Sequence, residues 1–152
     1  KPVIVAADLG FAKKARNFAA KLKIPIAFIE KRRTGNDDHA EALTVIGDVR
    51  DRDVIIVDDE VDTAGSVSHA SRILREHGAR NIYLSFVHPV LSGAASERLR
   101  EAEFQEIVTT NTIPVPSAKM LDNMTILSIG PLLAEVILRS HEGRSVGEMF
   151  DE

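Results

Sequence analysis

The fold class that this sequence predicts is α/β, with a mostly parallel central sheet flanked by helices. Three observations predict it. Short apolar runs rich in Val and Ile alternate with segments of helical period along most of the chain. One run, Val54-Ile55-Ile56-Val57, is apolar at every position, as a strand covered by helices on both faces must be. The length, 152 residues, suits one ordinary domain spanning residues 1–152.

Val3 to Ala7 is the first apolar run, and Asp8-Leu9-Gly10 ends it by delivering a carboxylate into a turn. Phe11, Ala15, Phe18, Ala19 and Leu22 then recur at helical spacing, with Lys13, Lys14, Arg16 and Asn17 on the opposite face. Pro25 to Ile29 is the second strand and runs straight into Lys31-Arg32-Arg33; Thr34 to Glu41 is polar and reads as an exposed, mobile loop. Leu43 to Gly47 is a short strand closed by glycine, and Asp53 to Val57 is a central one closed by Asp58-Asp59. A helix over Ser66–His77 carries Val67, Ala70, Ile73 and Leu74 on one face and stops at Gly78. Asn81 to Phe86 is the next strand, followed by a loop from His88 to Ser92 and a helix over Ala94–Glu101. Glu106–Thr109 and Thr125–Ser128 read as further strands, and Pro131 stands where a helix N1 proline belongs, with Leu132, Leu133, Val136 and Ile137 expected to face inward.

Composition narrows the function classes. Hydrophobic residues make up 44% and charged residues 28%, with 19 Lys+Arg against 23 Asp+Glu, so the chain is neither disordered in composition nor basic enough to make nucleic acid the default partner. The absence of cysteine excludes disulfide scaffolds, thiolate zinc sites and cysteine nucleophiles, and suits a cytoplasmic location. No apolar run approaches the roughly 18 residues that a spanning helix needs, so no membrane partner is expected. The chain opens on Lys1-Pro2 without an initiator Met, which reads as a trimmed start.

In a doubly wound sheet, ligands sit beyond the carboxyl ends of the strands, where strand order reverses. The strand ends contribute Asp8, Lys31 to Arg33, Asp58-Asp59 and the His88 loop, so carboxylates and cations converge on one rim. Within Val54 to Ser66, a buried strand gives way to two acids and then to the small polar turn Asp62-Thr63-Ala64-Gly65-Ser66, which opens a helix. The N–H groups and partial positive charge of that helix start can hold a phosphate. Asp58 and Asp59 then face the rest of the ligand, where adjacent carboxylates can accept hydrogen bonds from vicinal hydroxyls. A phosphate on one side and a diol on the other describe a sugar phosphate. Each of these residues alone would read as a strand-end acid or a helix cap; their order after a buried strand carries the signal. Neither G-x-x-x-x-G-K-[ST] nor G-x-G-x-x-G occurs.

Asp58-Asp59-Glu60-Val61-Asp62-Thr63-Ala64-Gly65-Ser66 closely resembles the phosphoribosyl pyrophosphate-binding motif of the type I phosphoribosyltransferase fold, in the form found in ribose-phosphate pyrophosphokinases. Lys31-Arg32-Arg33 is similar to the start of that family's catalytic loop, and Val45 to Val49 and His88-Pro89-Val90-Leu91-Ser92-Gly93 to segments that follow it. Gly130 to Glu135, His141-Glu142 and Ser145 to Phe150 extend the resemblance, which runs in family order from Val3 to Phe150. It implies an Mg²⁺-dependent transfer of diphosphate from ATP to ribose 5-phosphate. Asp58 and Asp59 would hold the ribose hydroxyls directly or through Mg²⁺, Asp62 to Ser66 the 5-phosphate, Lys31 and Arg33 the transferring diphosphate, and Asp8 a metal. Ser145 and Phe150 match a tail associated with effector binding and subunit contact, or are simply a helix-terminal tail.

The resemblance further implies a homo-oligomer, and a chain that corresponds to the C-terminal half of the family enzyme without its N-terminal half. Two alternatives remain open at this point: a phosphoribosyltransferase that consumes phosphoribosyl pyrophosphate, and a non-catalytic regulatory subunit associated with the synthetase. The sequence departs from the family at Asp8-Leu9-Gly10-Phe11, where two glycines usually follow the acid, at the acidic Asp37-Asp38, and at Val87, where threonine is common. None of these removes a proposed catalytic group. His69 and His77 are expected to be surface or packing residues, and no catalytic role is assigned to His88.

Overall fold

A computed structural model describes residues 1–33 and 41–150. Seven strands form one sheet: β1 (Pro2–Ala6), β2 (Ile26–Arg33), β3 (Glu41–Ile46), β4 (Asp53–Val61), β5 (Asn81–Pro89), β6 (Ile107–Thr110) and β7 (Met124–Leu127). Four helices connect or follow them: α1 (Ala12–Leu22), α2 (Gly65–Glu76), α3 (Ala95–Glu101) and α4 (Gly130–Glu142), with 3-10 turns at Leu9–Phe11, Ser117–Lys119 and Gly147–Met149. The strand order is β3-β2-β1-β4-β5-β6-β7, and every pairing is parallel except β2 with β3. From β1 the chain first builds outward through β2 to β3, then returns to lay β4 on the other side of β1. The order therefore reverses between β1 and β4, and the crevice that ligands use in such sheets opens at their carboxyl ends.

The alternation of side chains sends each strand's residues to two layers. Val3, Val5, Val54, Ile56, Ile82 and Leu84 pack beneath Val67, Ala70 and Leu74 of α2 and Ala95 and Leu99 of α3. Ile4, Ala6 and Val57 pack beneath Ala15 and Ala19 of α1. Leu74, fully buried, contributes on the order of 1.5–3 kcal/mol by leaving water. Two glycines do what only glycine does cheaply. Gly47 closes β3 at φ +113°, where a Cβ would stand 2.7 Å from that of Ala27, and Gly78 ends α2 at φ +84°.

Two expectations shift. The apolar residues of α4 do not face inward: Leu133 is 49% and Ile137 69% exposed, and no residue of α4 is buried. His88 belongs to β5, which runs on to Pro89, rather than to a loop. The expected loop from Thr34 lies outside the described residues as far as Ala40, Asp37 and Asp38 included; Glu41 already begins β3.

Candidate functional site

Strand ends decide where the acids stand. β1 ends at Ala6, and Asp8 turns back into the 3-10 turn, its carboxylate accepting the N–H of Gly10. A Cβ on Gly10 would lie 2.9 Å from that carboxylate oxygen, so a side chain here would displace the Asp8 carboxylate from this contact. β4 continues through Asp58-Asp59-Glu60 to Val61, longer than the apolar run alone predicted, because β5 extends alongside it and pairs Glu60 with His88 and Val61 with Pro89. Regular alternation fails over these residues. Val61 is buried in the layer of α2 and α3, although its parity with Ile55 and Val57 would send it toward α1.

The two acids sit in different electrostatic settings. Asp58 is half-buried, and its carboxyl is pushed up to about 6, mainly by burial, against the opposing hydrogen bond from the Asp59 N–H at 2.9 Å and with further repulsion from Asp59 and Asp8. Asp59 is held below the usual carboxylate range chiefly by Lys14, whose Nζ donates to Oδ2 at 2.8 Å from the first turn of α1. Lys14 also lies 5.4 Å from the centroid of the Phe11 ring. Phe11, directly after Gly10, sets its ring against this corner of the site.

The turn from Asp62 leads into α2 with Ala64 in the left-handed region, φ 61° and ψ 7°, at a cost on the order of 1 kcal/mol for a residue that is not glycine. No side chain caps α2. Among the described residues, the backbone N–H groups of Thr63, Ala64, Gly65, Ser66 and Val67 have no hydrogen-bond acceptor. Five adjacent donors at a helix start, with the positive end of its dipole behind them, make a concavity suited to an anion. Asp8, Gly10, Lys14, Asp58, Asp59 and the whole of Asp62–Ser66 line one cavity of about 380 Å³. A second, apolar cavity of about 300 Å³ shares Phe11, Lys14 and Asp58 with it.

The structure thus brings together Asp8, Asp58, Asp59, Asp62, Thr63, Ala64, Gly65 and Ser66 as expected. Lys31 and Arg33 are placed by their backbone alone. β2 is paired with β1 only as far as Phe28 opposite Ala6, then runs on to Arg33 against β3, with Lys31 opposite Leu43 and Arg33 opposite Glu41. The β2–β3 ribbon therefore overruns the sheet at the end where the acids lie. Ser145 and Phe150 are elsewhere: the Ser145 carbonyl accepts Arg139 at 2.9 Å after α4, and Phe150 is exposed. His69 pairs with Arg72 at 2.8 Å and His77 with the Ile73 carbonyl at 2.8 Å, so both are structural. The helical period placed Lys14 on the solvent face; its contact with Asp59 was not foreseen. The signal that could have found it is position, since it lies one turn into the helix that follows the Asp8 turn.

Residues 36–151 match the family described as phosphoribosyl synthetase-associated domain. The chain belongs to that family. A ribose-phosphate pyrophosphokinase from Caldanaerobacter subterraneus is 47% identical over 148 residues, which is 97% of this chain and 46% of that protein. The phosphoribosylpyrophosphate synthetase of Mycobacterium smegmatis superposes with a TM-score of 0.86 at 37% identity, over 93% of this chain and 45% of that one. An APRTase from Giardia lamblia shares the fold at 13% identity, with a TM-score of 0.55 and coverage of 72% of this chain and 67% of its own. The domain is accordingly of the type I phosphoribosyltransferase-like class. It spans about half the length of the pyrophosphokinases it matches.

Proposed function

We propose that this chain supplies the ribose 5-phosphate site and the catalytic cations of a ribose-phosphate pyrophosphokinase, which transfers diphosphate from ATP to ribose 5-phosphate and yields phosphoribosyl pyrophosphate and AMP. The observation that carries the reading is the shared cavity at the β1–β4 crevice, where unpaired N–H donors face two carboxylates. The 5-phosphate takes the N–H groups of the Asp62–Ser66 turn, and the ribose hydroxyls donate to Asp58 and Asp59. Lys31 and Arg33, carried on the β2–β3 ribbon, neutralise charge that develops on the transferring diphosphate, the main task in such transfers. The pyrophosphokinases that match nearly the whole chain support the same assignment.

Mg²⁺ is part of this proposal. Asp8 and Asp58 offer hard oxygen donors, and Asp58, elevated by burial and by its acidic neighbours, gains its ionised form when a cation arrives. Among the described residues no group of three side-chain ligands forms a metal cluster. That suits Mg²⁺, which keeps several waters and takes one or two carboxylates together with substrate phosphates. When bound, it supplies neutralisation of phosphate charge. Added Mg²⁺ should lower the titration midpoint of Asp58 from about 6, read by carboxyl NMR; an unmoved midpoint would remove Asp58 from the metal site. Self-association belongs to the proposal too, supported by the exposed apolar residues of α4, and sedimentation velocity tests it.

The decisive experiment is calorimetry with ribose 5-phosphate. The paired change Asp58→Asn and Asp59→Asn should weaken binding by at least about 2 kcal/mol, the scale of lost charge-assisted hydrogen bonds, with the fold retained. Unchanged affinity would end the assignment. Lys31→Ala or Arg33→Ala, in a protein of the relatives' length carrying this sequence, should slow diphosphate transfer with little change in ribose 5-phosphate affinity. Near-normal turnover in both would leave that segment as an ordinary basic strand end.

A further inference from the structure

The back of the Asp62–Ser66 turn is tied down by the segment that follows β5. That segment occupies three consecutive carbonyls, Val61 by the Leu91 N–H at 3.0 Å, Asp62 by the Ser92 N–H at 2.9 Å and Thr63 by the Arg98 guanidinium at 2.8 Å, while the next, Ala64, takes the Ser68 N–H of α2 itself at 3.1 Å. The Ser92 hydroxyl also donates to the Asp62 carboxylate. Arg98 is itself braced, since Ser68 of α2 donates to its carbonyl at 3.3 Å and the adjacent Leu99, on the same helix, is buried in the core.

Planarity converts these carbonyl contacts into a statement about donors. In a trans peptide the C=O and the next residue's N–H point in opposite directions, so fixing one fixes the other. Tying the Asp62 and Thr63 carbonyls backward directs the N–H groups of Thr63 and Ala64 forward, into the cavity. The conformation needs such a tie. Ala64 is held left-handed without being glycine, and rotation of the Thr63–Ala64 peptide would relax it while turning its N–H away.

We propose that Arg98, through the Thr63 carbonyl, and Ser92, through Asp62, are positioning residues that hold this turn with its N–H groups facing an incoming phosphate. The inference rests on the ribose 5-phosphate reading above. Neither side chain touches the ligand; each acts through the backbone that does. Arg98 suits the role because its planar guanidinium offers a rigid donor to the carbonyl.

Calorimetry with ribose 5-phosphate and with inorganic phosphate, on the unaltered chain and on Arg98→Ala, Arg98→Lys and Ser92→Ala, tests it beside urea unfolding. Arg98→Ala should weaken both ligands about tenfold, the effect of one charge-assisted contact. Arg98→Lys should recover most of the loss, because an ammonium can still donate to the Thr63 carbonyl, and Ser92→Ala should fall between them. Urea midpoints should stay together, as should amide exchange at Ile82 and Leu84 in β5. Full affinity in Arg98→Ala, with normal binding by the unaltered chain, overturns the positioning role and leaves the functional reading standing. Losses that follow the urea midpoint in every variant also overturn it, since they report folding. Failure of the unaltered chain to bind ribose 5-phosphate overturns both.

Discussion

The two ends of β4 carry the same residue type in opposite conditions. At the start of the strand, Asp53 receives Arg80 through Nε at 2.9 Å and through Nη2, Asn81 at 2.7 Å, and the α-amino group of Lys1 at 3.7 Å. Its carboxyl is held at about 2, chiefly by Arg80 and then Asn81. At the far end, Asp58 is half-buried, bonded to no cation among the described residues, and pushed up to about 6. One strand thus satisfies an acid where only the fold uses it and leaves another in want of a partner where the crevice opens. Unsatisfied charge is expensive in a folded chain, and the proposed site would give this one, at the strand's carboxyl end, a partner from outside the fold.

The largest way to break this comparison is by affinity. If the ends differ as described, the loss of at least about 2 kcal/mol in ribose 5-phosphate binding expected for the paired Asp58 and Asp59 change should have no counterpart at Asp53. Asp53→Asn should leave calorimetric affinity within about twofold, because its partners all lie at the opposite rim of the sheet. An equal loss at both ends would mean that the changes act through folding and not through contact.

Next in size is stability, where the two ends should respond to pH with opposite sign. Asp58 has a folded value above its unfolded one, so between about pH 4 and pH 6 the folded state binds more protons, and its contribution to stability falls as pH rises across that window. Asp58→Asn should therefore stabilise the chain at pH 7, by about 1 kcal/mol once the shift is discounted for solvent screening. Asp53, whose folded value is depressed, contributes stability that is present above about pH 4 and lost as pH falls toward 2. Asp53→Asn should destabilise at pH 7 and converge with the unaltered chain in acid. Urea unfolding across pH 2–8 reads both, and slopes of the same sign would sink the comparison.

The contrast also explains how far the sequence could be read. Strand runs such as Val54–Val57 and the helix of Val67, Ala70 and Leu74 were legible because burial on a known period leaves a pattern in residue type. The Asp62–Ser66 turn was legible as a candidate anion site because its small residues, acids and helix start are contiguous. Long-range partners left no such trace. Nothing in the periodicity of α1 says that Lys14 reaches Asp59, or that Arg98 of α3 meets the Thr63 carbonyl, since both depend on how elements cross. α4 was read inward for a related reason: an apolar stripe shows that a face is to be covered and not what covers it, and among the described residues nothing buries Ile137 or Leu133. The ends of β4 and β5 were underestimated because mutual pairing carries both strands past their apolar stretches into Asp58–Glu60 and His88.

The smallest effect concerns the ion pair that separates Asp59 from Asp58. Lys14 and Asp59 are both substantially exposed, 67% and 48% at their side chains, so their pairing at 2.8 Å adds little to stability however good its geometry. Lys14→Ala should change the unfolding free energy by no more than about 0.5 kcal/mol, the ordinary worth of an exposed pair. Its effect should be local. Without the ammonium, the Asp59 carboxyl loses the first cause of its depressed value, and its titration midpoint should rise toward that of a free aspartate. Asp59 stays ionised through the range in which Asp58 titrates, so its repulsion of Asp58 is unchanged, and loss of the neighbouring cation should leave the elevated Asp58 midpoint where it is or raise it slightly, never lower it. Carboxyl NMR titration of the variant beside the unaltered chain resolves the two groups. An Asp59 midpoint that does not move would show that Lys14 is a bystander in solution, and the division of labour between the adjacent acids would then need another cause.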